Sequence, residues 1–193
     1  MNIKRTALLL MDMQNDFLHA DGAFGRVDQR IDNKRTVIEQ LLKVVDAIKA
    51  KGGFIISTNF TLISDKDSIP IISEKIKAES PFLTRGDFQQ GRWGHQLIDE
   101  FSPADYVVNK IADSAFYMTH LEWLLGKLNI ENLIFAGLWS NPNLNPTIRD
   151  AQHRGFNIIS LQDGSTSFSK GELNMDGIET EICANFANYI NSL

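Results

Sequence analysis

The chain has 193 residues, 43% of them apolar, and a formal net charge of −5. That length fills one well-buried domain and is marginal for two, so residues 1–193 are read as a single domain. The acidic balance excludes a phosphate-tracking nucleic-acid binder, which needs a basic face.

The opening MNIKRTALLLMDMQNDF holds five consecutive apolar residues, Ala7 to Met11, before Asp12. Such a run is too short for a signal core or a membrane span, and no later stretch reaches span length. One cysteine, Cys183, cannot form an internal disulfide, which fits a reducing compartment. The expectation is a soluble cytoplasmic protein with no membrane or nucleic-acid partner.

Elements then alternate along the chain. TALLLM reads as a strand buried on both faces. Residues 33–51 place Val37, Ile38, Leu41, Leu42, Val45 and Ile48 on a helical stripe that ends at Gly52-Gly53. FIIST (54–58) is a second buried strand. Residues 60–92 are irregular, with a short helix expected around 73–79, and read as an excursion or lid. QLIDEF reads as helical and DYVVN (105–109) as strand three. Thr119 and Glu122 have capping-box spacing ahead of Leu121, Leu124, Leu125 and Leu128. NLIFAG is strand four, 143–154 a helix, NIISL strand five, and 177–191 a closing helix. The doubled Asn141-Pro142 and Asn145-Pro146 leave two starts open for the 143–154 helix, each a cap followed by a first-turn proline. Strands separated by helices imply a parallel sheet covered on both faces, a three-layer α/β/α domain, and the expected form is a doubly wound sheet in the order 3-2-1-4-5. No repeat or linker interrupts it.

Such a sheet binds ligands beyond the carboxyl ends of its strands, where strand order reverses. Asp12 follows strand one, Lys110 follows strand three, and residues 138–143 follow strand four. Strands one and three lie about 10 Å apart, a gap that a lysine largely spans. An acid and a base then converge on one crevice. The plainer alternatives are that Asp12 caps a turn and Lys110 is a solvated strand end.

At these positions the chain resembles a known group. ALLLMDMQNDF, VVNKIADSAFYMTHLEWLL and LIFAGLWSNPNLNPTIRDAQHRGF are similar, in order and spacing, to the three signature segments of the isochorismatase-like cysteine hydrolase superfamily. The resemblance spans nearly the whole chain and implies the Rossmann-like isochorismatase fold. By it, Asp12 matches the catalytic aspartate and Lys110 the catalytic lysine. Leu138-Trp139 matches a pair usually joined by a cis peptide, and Asn143 matches the cysteine nucleophile.

The departure at Asn143 bears on mechanism. An amidase of this group attacks with a thiolate. A carboxamide is no comparable nucleophile, and Cys183, in the last helix, reads as a small core residue. Isochorismatases also lack that cysteine, and hydrolyse a vinyl ether by delivering a proton from an aspartate to the enol-ether carbon before water adds. The resemblance therefore implies a hydrolase using Asp12 as acid, with Lys110 orienting it or holding a substrate carboxylate. Trp93 and Trp139 would supply apolar walls, Arg85 or Arg92 would grip a carboxylate, and Phe17, Asn59 and Leu138 complete the candidate substrate contacts. The competing reading is a silent member that binds a small molecule or a protein through the same crevice.

No metal or cofactor is expected. The relatives that hold zinc or iron carry an Asp-x-His pair after strand two, where this chain reads STNFTLIS, and His19, His95, His120 and His153 lack ligand spacing. No glycine-rich phosphate loop follows a strand. The expected partners are a small-molecule substrate and further copies of the chain, as a homodimer or larger homo-oligomer. Nothing strand-like follows the last helix, so strand five is expected at the sheet edge, covered by that helix or by a neighbour.

Overall fold

In the computed structural model, which describes residues 1–31, 33–139, 146–167 and 179–193, a parallel sheet forms the middle layer. Its described strands are β1 (Thr6–Met11), β2 (Phe54–Phe60), β3 (Tyr106–Lys110), β4 (Asn132–Trp139), β5 (Asn157–Ser167) and β6 (Glu179–Glu181). They lie in the order β3-β2-β1-β4-β5-β6, every neighbouring pair parallel. The described helices are α1 (Asn15–Leu18), α2 (Lys34–Ala50), α3 (Glu74–Glu79), α4 (Leu121–Lys127), α5 (Pro146–His153) and α6 (Cys183–Ser192).

The apolar run of β1 is explained by cover on both sides, since all six of its residues are buried. Leu8 and Leu10 pack with Leu41, Val44 and Ile48 of α2 and Phe186 and Ile190 of α6. Ala7, Leu9 and Met11 face the other way, against Leu121, Leu124 and Leu125 of α4 and Ile148 of α5. A third, smaller core of Ala23, Leu62 and Phe88 lies under the 60–92 excursion, with Phe17, Phe24 and Phe60 against it. No helix among the described residues is long and apolar enough to cross a membrane.

Two expectations need correction. A sixth strand exists and precedes the last helix: β6 pairs along β5 through Ile159↔Glu179, Ser160↔Thr180 and Leu161↔Glu181. The edge of β5 is thus covered by backbone pairing, and α6 begins only at Cys183. A Glu-Thr-Glu strand carries no apolar pattern, so periodicity is blind to it. QLIDEF is not a helix. Leu97 bridges Gln14 in antiparallel fashion, Ile98 N–H donates to Met13 O at 2.9 Å, and only Asp99–Phe101 form a 3-10 turn. Pairing with the 13–15 segment takes the backbone groups that a helix would have used.

The entry to β3 is fixed by Asp105, whose N–H donates to Ile55 O at 2.9 Å while its Oδ2 accepts from Ile55 N at 2.7 Å. Asp105→Ala should cost about 1 kcal/mol, read as a lower urea midpoint at unchanged slope. An unchanged midpoint would show that β2 and β3 register without this clamp.

Candidate active site

β1 delivers Asp12 to the point where strand order reverses, between β1 and β4. Its N–H prolongs the ladder to Thr58 O at 2.9 Å, and its own carbonyl accepts from Gln14 N at 2.8 Å, closing a tight turn. Asp12 has φ 52°, a left-handed conformation that aspartate tolerates better than most residues. Paired with Met11, the residue before it, Gly137 of β4 has φ 115°, and a Cβ there would lie 2.6 Å from Met11 O. Close approach of the two central strands requires glycine at this point.

Lys110, the last residue of β3, crosses over β2 to reach Asp12. Its Nζ lies 2.8 Å from Asp12 Oδ2, the side chains being 4% and 14% exposed. Nζ also donates to Ala112 O at 3.3 Å and stands 5.4 Å from the centre of the Phe60 ring, within cation–π range. Thr58 Oγ1 donates to Asp12 Oδ1 at 3.3 Å. Burial pushes the Asp12 carboxyl above its ordinary range. The Lys110 charge and the hydrogen bonds from Lys110 and Thr58 oppose that without cancelling it. A carboxyl held nearer neutrality, with a cation in contact, is equipped to give or take a proton.

The turn after Lys110 is tied to α5. Ala115 N donates to Thr147 Oγ1 at 3.0 Å and Ser114 Oγ to Asp150 Oδ2 at 2.5 Å. Pro146 opens the described part of α5, the position where a missing N–H costs nothing.

The other expected site residues divide. Asn143 and its neighbours 140–145 lie outside the described residues, as do the side chain of Trp139 and the isomer of the Leu138-Trp139 peptide. Leu138 is buried in the core shared with α2. Asn59 is tied into the scaffold. It is buried, donates Nδ2 to His95 O at 3.0 Å and accepts from Ser57 Oγ at 2.5 Å. Phe17 packs among Phe24, Phe60 and Phe88, its ring 4.5 Å from that of Phe88. Trp93 is 47% exposed and meets His19 edge-on. It lines a cavity of about 270 Å³ whose walls include neither Asp12 nor Lys110. Arg85 and Arg92 are both exposed. Thr58 and Phe60, which contact the pair, escaped the sequence reading because contact depends on the registers Met11↔Thr58 and Phe60↔Lys110, which no single strand encodes.

The sequence profile of the isochorismatase domain matches residues 6–187. The chain belongs to the isochorismatase family. Ureidoacrylate amidohydrolase RutB of Azorhizobium caulinodans is 26% identical over 176 residues, covering 84% of this chain and 77% of that protein. The RutB of Agrobacterium fabrum is 27% identical over 173 residues, covering 83% and 75%. A cysteine hydrolase from Pseudomonas syringae pv. phaseolicola superposes with a TM-score of 0.78 at 20% identity, covering 100% of this chain and 95% of its own. Within the isochorismatase family this chain is a hydrolase, and the order β3-β2-β1-β4-β5-β6 is its form of the family's α/β fold.

Proposed function

We propose that this isochorismatase-family hydrolase acts on a small molecule by proton transfer through Asp12 and Lys110, without a cysteine nucleophile and without a metal or cofactor. The observation that carries the reading is the buried Asp12–Lys110 contact of 2.8 Å at the sheet's switch point. Two further facts support it. Asn143 stands where the resemblance puts the nucleophile, and the chain's one cysteine, Cys183, is buried in the α6 core with its thiol pushed up by burial, hence protonated and inert.

The substrate fitting this chemistry is a vinyl ether of the isochorismate type. Asp12 gives its proton to the enol-ether carbon, water adds to the oxocarbenium ion, and the proton released by that water returns to the carboxylate; the hemiketal so formed then collapses, its ether C–O bond breaking to give a ketone and an alcohol that keeps the hydroxyl proton. Lys110 holds the carboxyl in place or receives a substrate carboxylate. An amide substrate, as the RutB name would suggest, requires water in place of the thiolate.

The deciding experiment is a turnover screen of the purified chain against isochorismate, ureidoacrylate and a panel of amides, with Asp12→Asn alongside. Turnover is expected to fall at least about 1,000-fold in Asp12→Asn, toward the upper end of what one proton-transfer group supplies. Turnover that survives the substitution would remove Asp12 from the mechanism. Complete silence of the wild-type chain would favour the reading that Asn143 itself suggests, a small-molecule or protein binder. We also read the protein as a cytoplasmic homodimer or larger assembly, supported by the exposed Tyr117, Met118 and Trp123. Light scattering at micromolar concentration should give more than one chain's mass, and a strict monomer contradicts this.

A further inference from the structure

Gln14, two residues past Asp12, is fully buried and has all its hydrogen-bonding spent on two main-chain positions. Its Oε1 accepts from Phe60 N at 2.7 Å, while its Nε2 donates to Phe60 O at 2.9 Å and to His95 O at 3.0 Å. One donor and two acceptors fix the orientation of the carboxamide, and no other side chain of that length matches the set. Phe60 is also the residue whose ring lies under the Lys110 ammonium and whose strand position pairs with Lys110. Resting on the reading of Asp12 and Lys110 as the working pair, we infer that Gln14 is a positioning residue of this site: it holds the Phe60 main chain at both N–H and C=O, and so limits how far that N–H serves the Asp12 carboxylate.

The consequence is electrostatic. The Phe60 N–H favours the ionised form of Asp12, against the larger upward push of burial. Released from Gln14, it would swing to the carboxylate and favour ionisation further. Among the described residues Lys110 is the one cation in ion-pair contact with Asp12. His95 faces Thr61, its Nε2 lying 2.8 Å from Thr61 Oγ1, which in turn reaches Asn59 O at 3.1 Å.

The test is a carbon-detected NMR titration of the Asp12 carboxyl in wild type, Gln14→Leu and Thr61→Val. In Gln14→Leu the Asp12 midpoint should fall by about one pH unit. Thr61→Val, which breaks a neighbouring buried link, should leave it unmoved. Equal midpoints in wild type and Gln14→Leu overturn the proposal, as does an equal fall in Thr61→Val. Should Gln14→Leu fail to fold, the through-hydrogen-bond coupling between Phe60 nitrogen and Gln14 Cδ in the wild type decides. Its presence supports the commitment of that N–H, and its absence overturns it. The titration needs no substrate, so a silent turnover screen would sink the catalytic reading and leave this result standing.

Discussion

Lys110→Met is expected to cost about 3–5 kcal/mol of stability, the usual penalty for removing one partner of a buried ion pair, and the loss should grow as pH rises. Asp12 would be left as a carboxyl 14% exposed, with burial raising its pKa and without Lys110 to pull it down. A group whose folded pKa lies above its unfolded value, about 3.9 for aspartate, contributes stability that is complete below the unfolded pKa. That stability is lost as pH climbs through the folded pKa. Urea denaturation of the variant and wild type at about pH 5 and about pH 8 should therefore show a wider gap at the higher value. A gap that is the same at both would mean that removing Lys110 leaves the ionisation of Asp12 in the fold unchanged over that range. Any substrate found by the screen should be turned over by this variant far more slowly than by wild type, since no other described residue makes an ion-pair contact with the carboxyl.

Gly137→Ala should be comparably damaging for a backbone reason. The new Cβ would meet Met11 O at 2.6 Å and Met11 N at 2.8 Å, and the residue would still have to adopt φ 115°. Neither obstacle is a flexible side-chain end, so β1 and β4 must part at the place where Asp12 leaves the sheet. A loss of roughly 3 kcal/mol or more is expected from strain and broken pairing together, read by chemical denaturation. A fully stable Gly137→Ala protein with an unshifted Asp12 titration would refute the tight β1–β4 approach.

The sheet was readable because its central strands announce themselves as apolar runs, and TALLLM and NLIFAG also by a covering helix further along the chain. TALLLM, FIIST and NLIFAG needed cover on both faces, and the stripe Val37–Ile48 supplied one side of it. Asp12 and Lys110 were readable as strand-end residues, because strand ends in such sheets point at one crevice. β6 was not, since its hold on β5 is made of main-chain groups beneath Glu179, Thr180 and Glu181. The partners of Asn59 were equally hidden, since strand alternation turns it to the face where His95 waits. Gln14 left no trace in the pattern, since a buried carboxamide satisfied by three main-chain atoms reads in sequence like any other polar residue. The reading of Asn143 as the nucleophile position rests on family resemblance alone, because chemistry, not packing, marks a nucleophile.

The twist of the main chain at Asp12 also decides which substitutions ask a clean question. A residue held at φ 52° must be one that accepts a left-handed backbone, a short list headed by glycine, asparagine and aspartate. Asp12→Asn keeps the backbone at ease and removes only the ionisable group. Asp12→Glu, which looks gentler because it preserves the charge, adds a methylene and puts a helix-favouring residue where the turn resists it. Its failure would report on the shape of the chain and not on the acid.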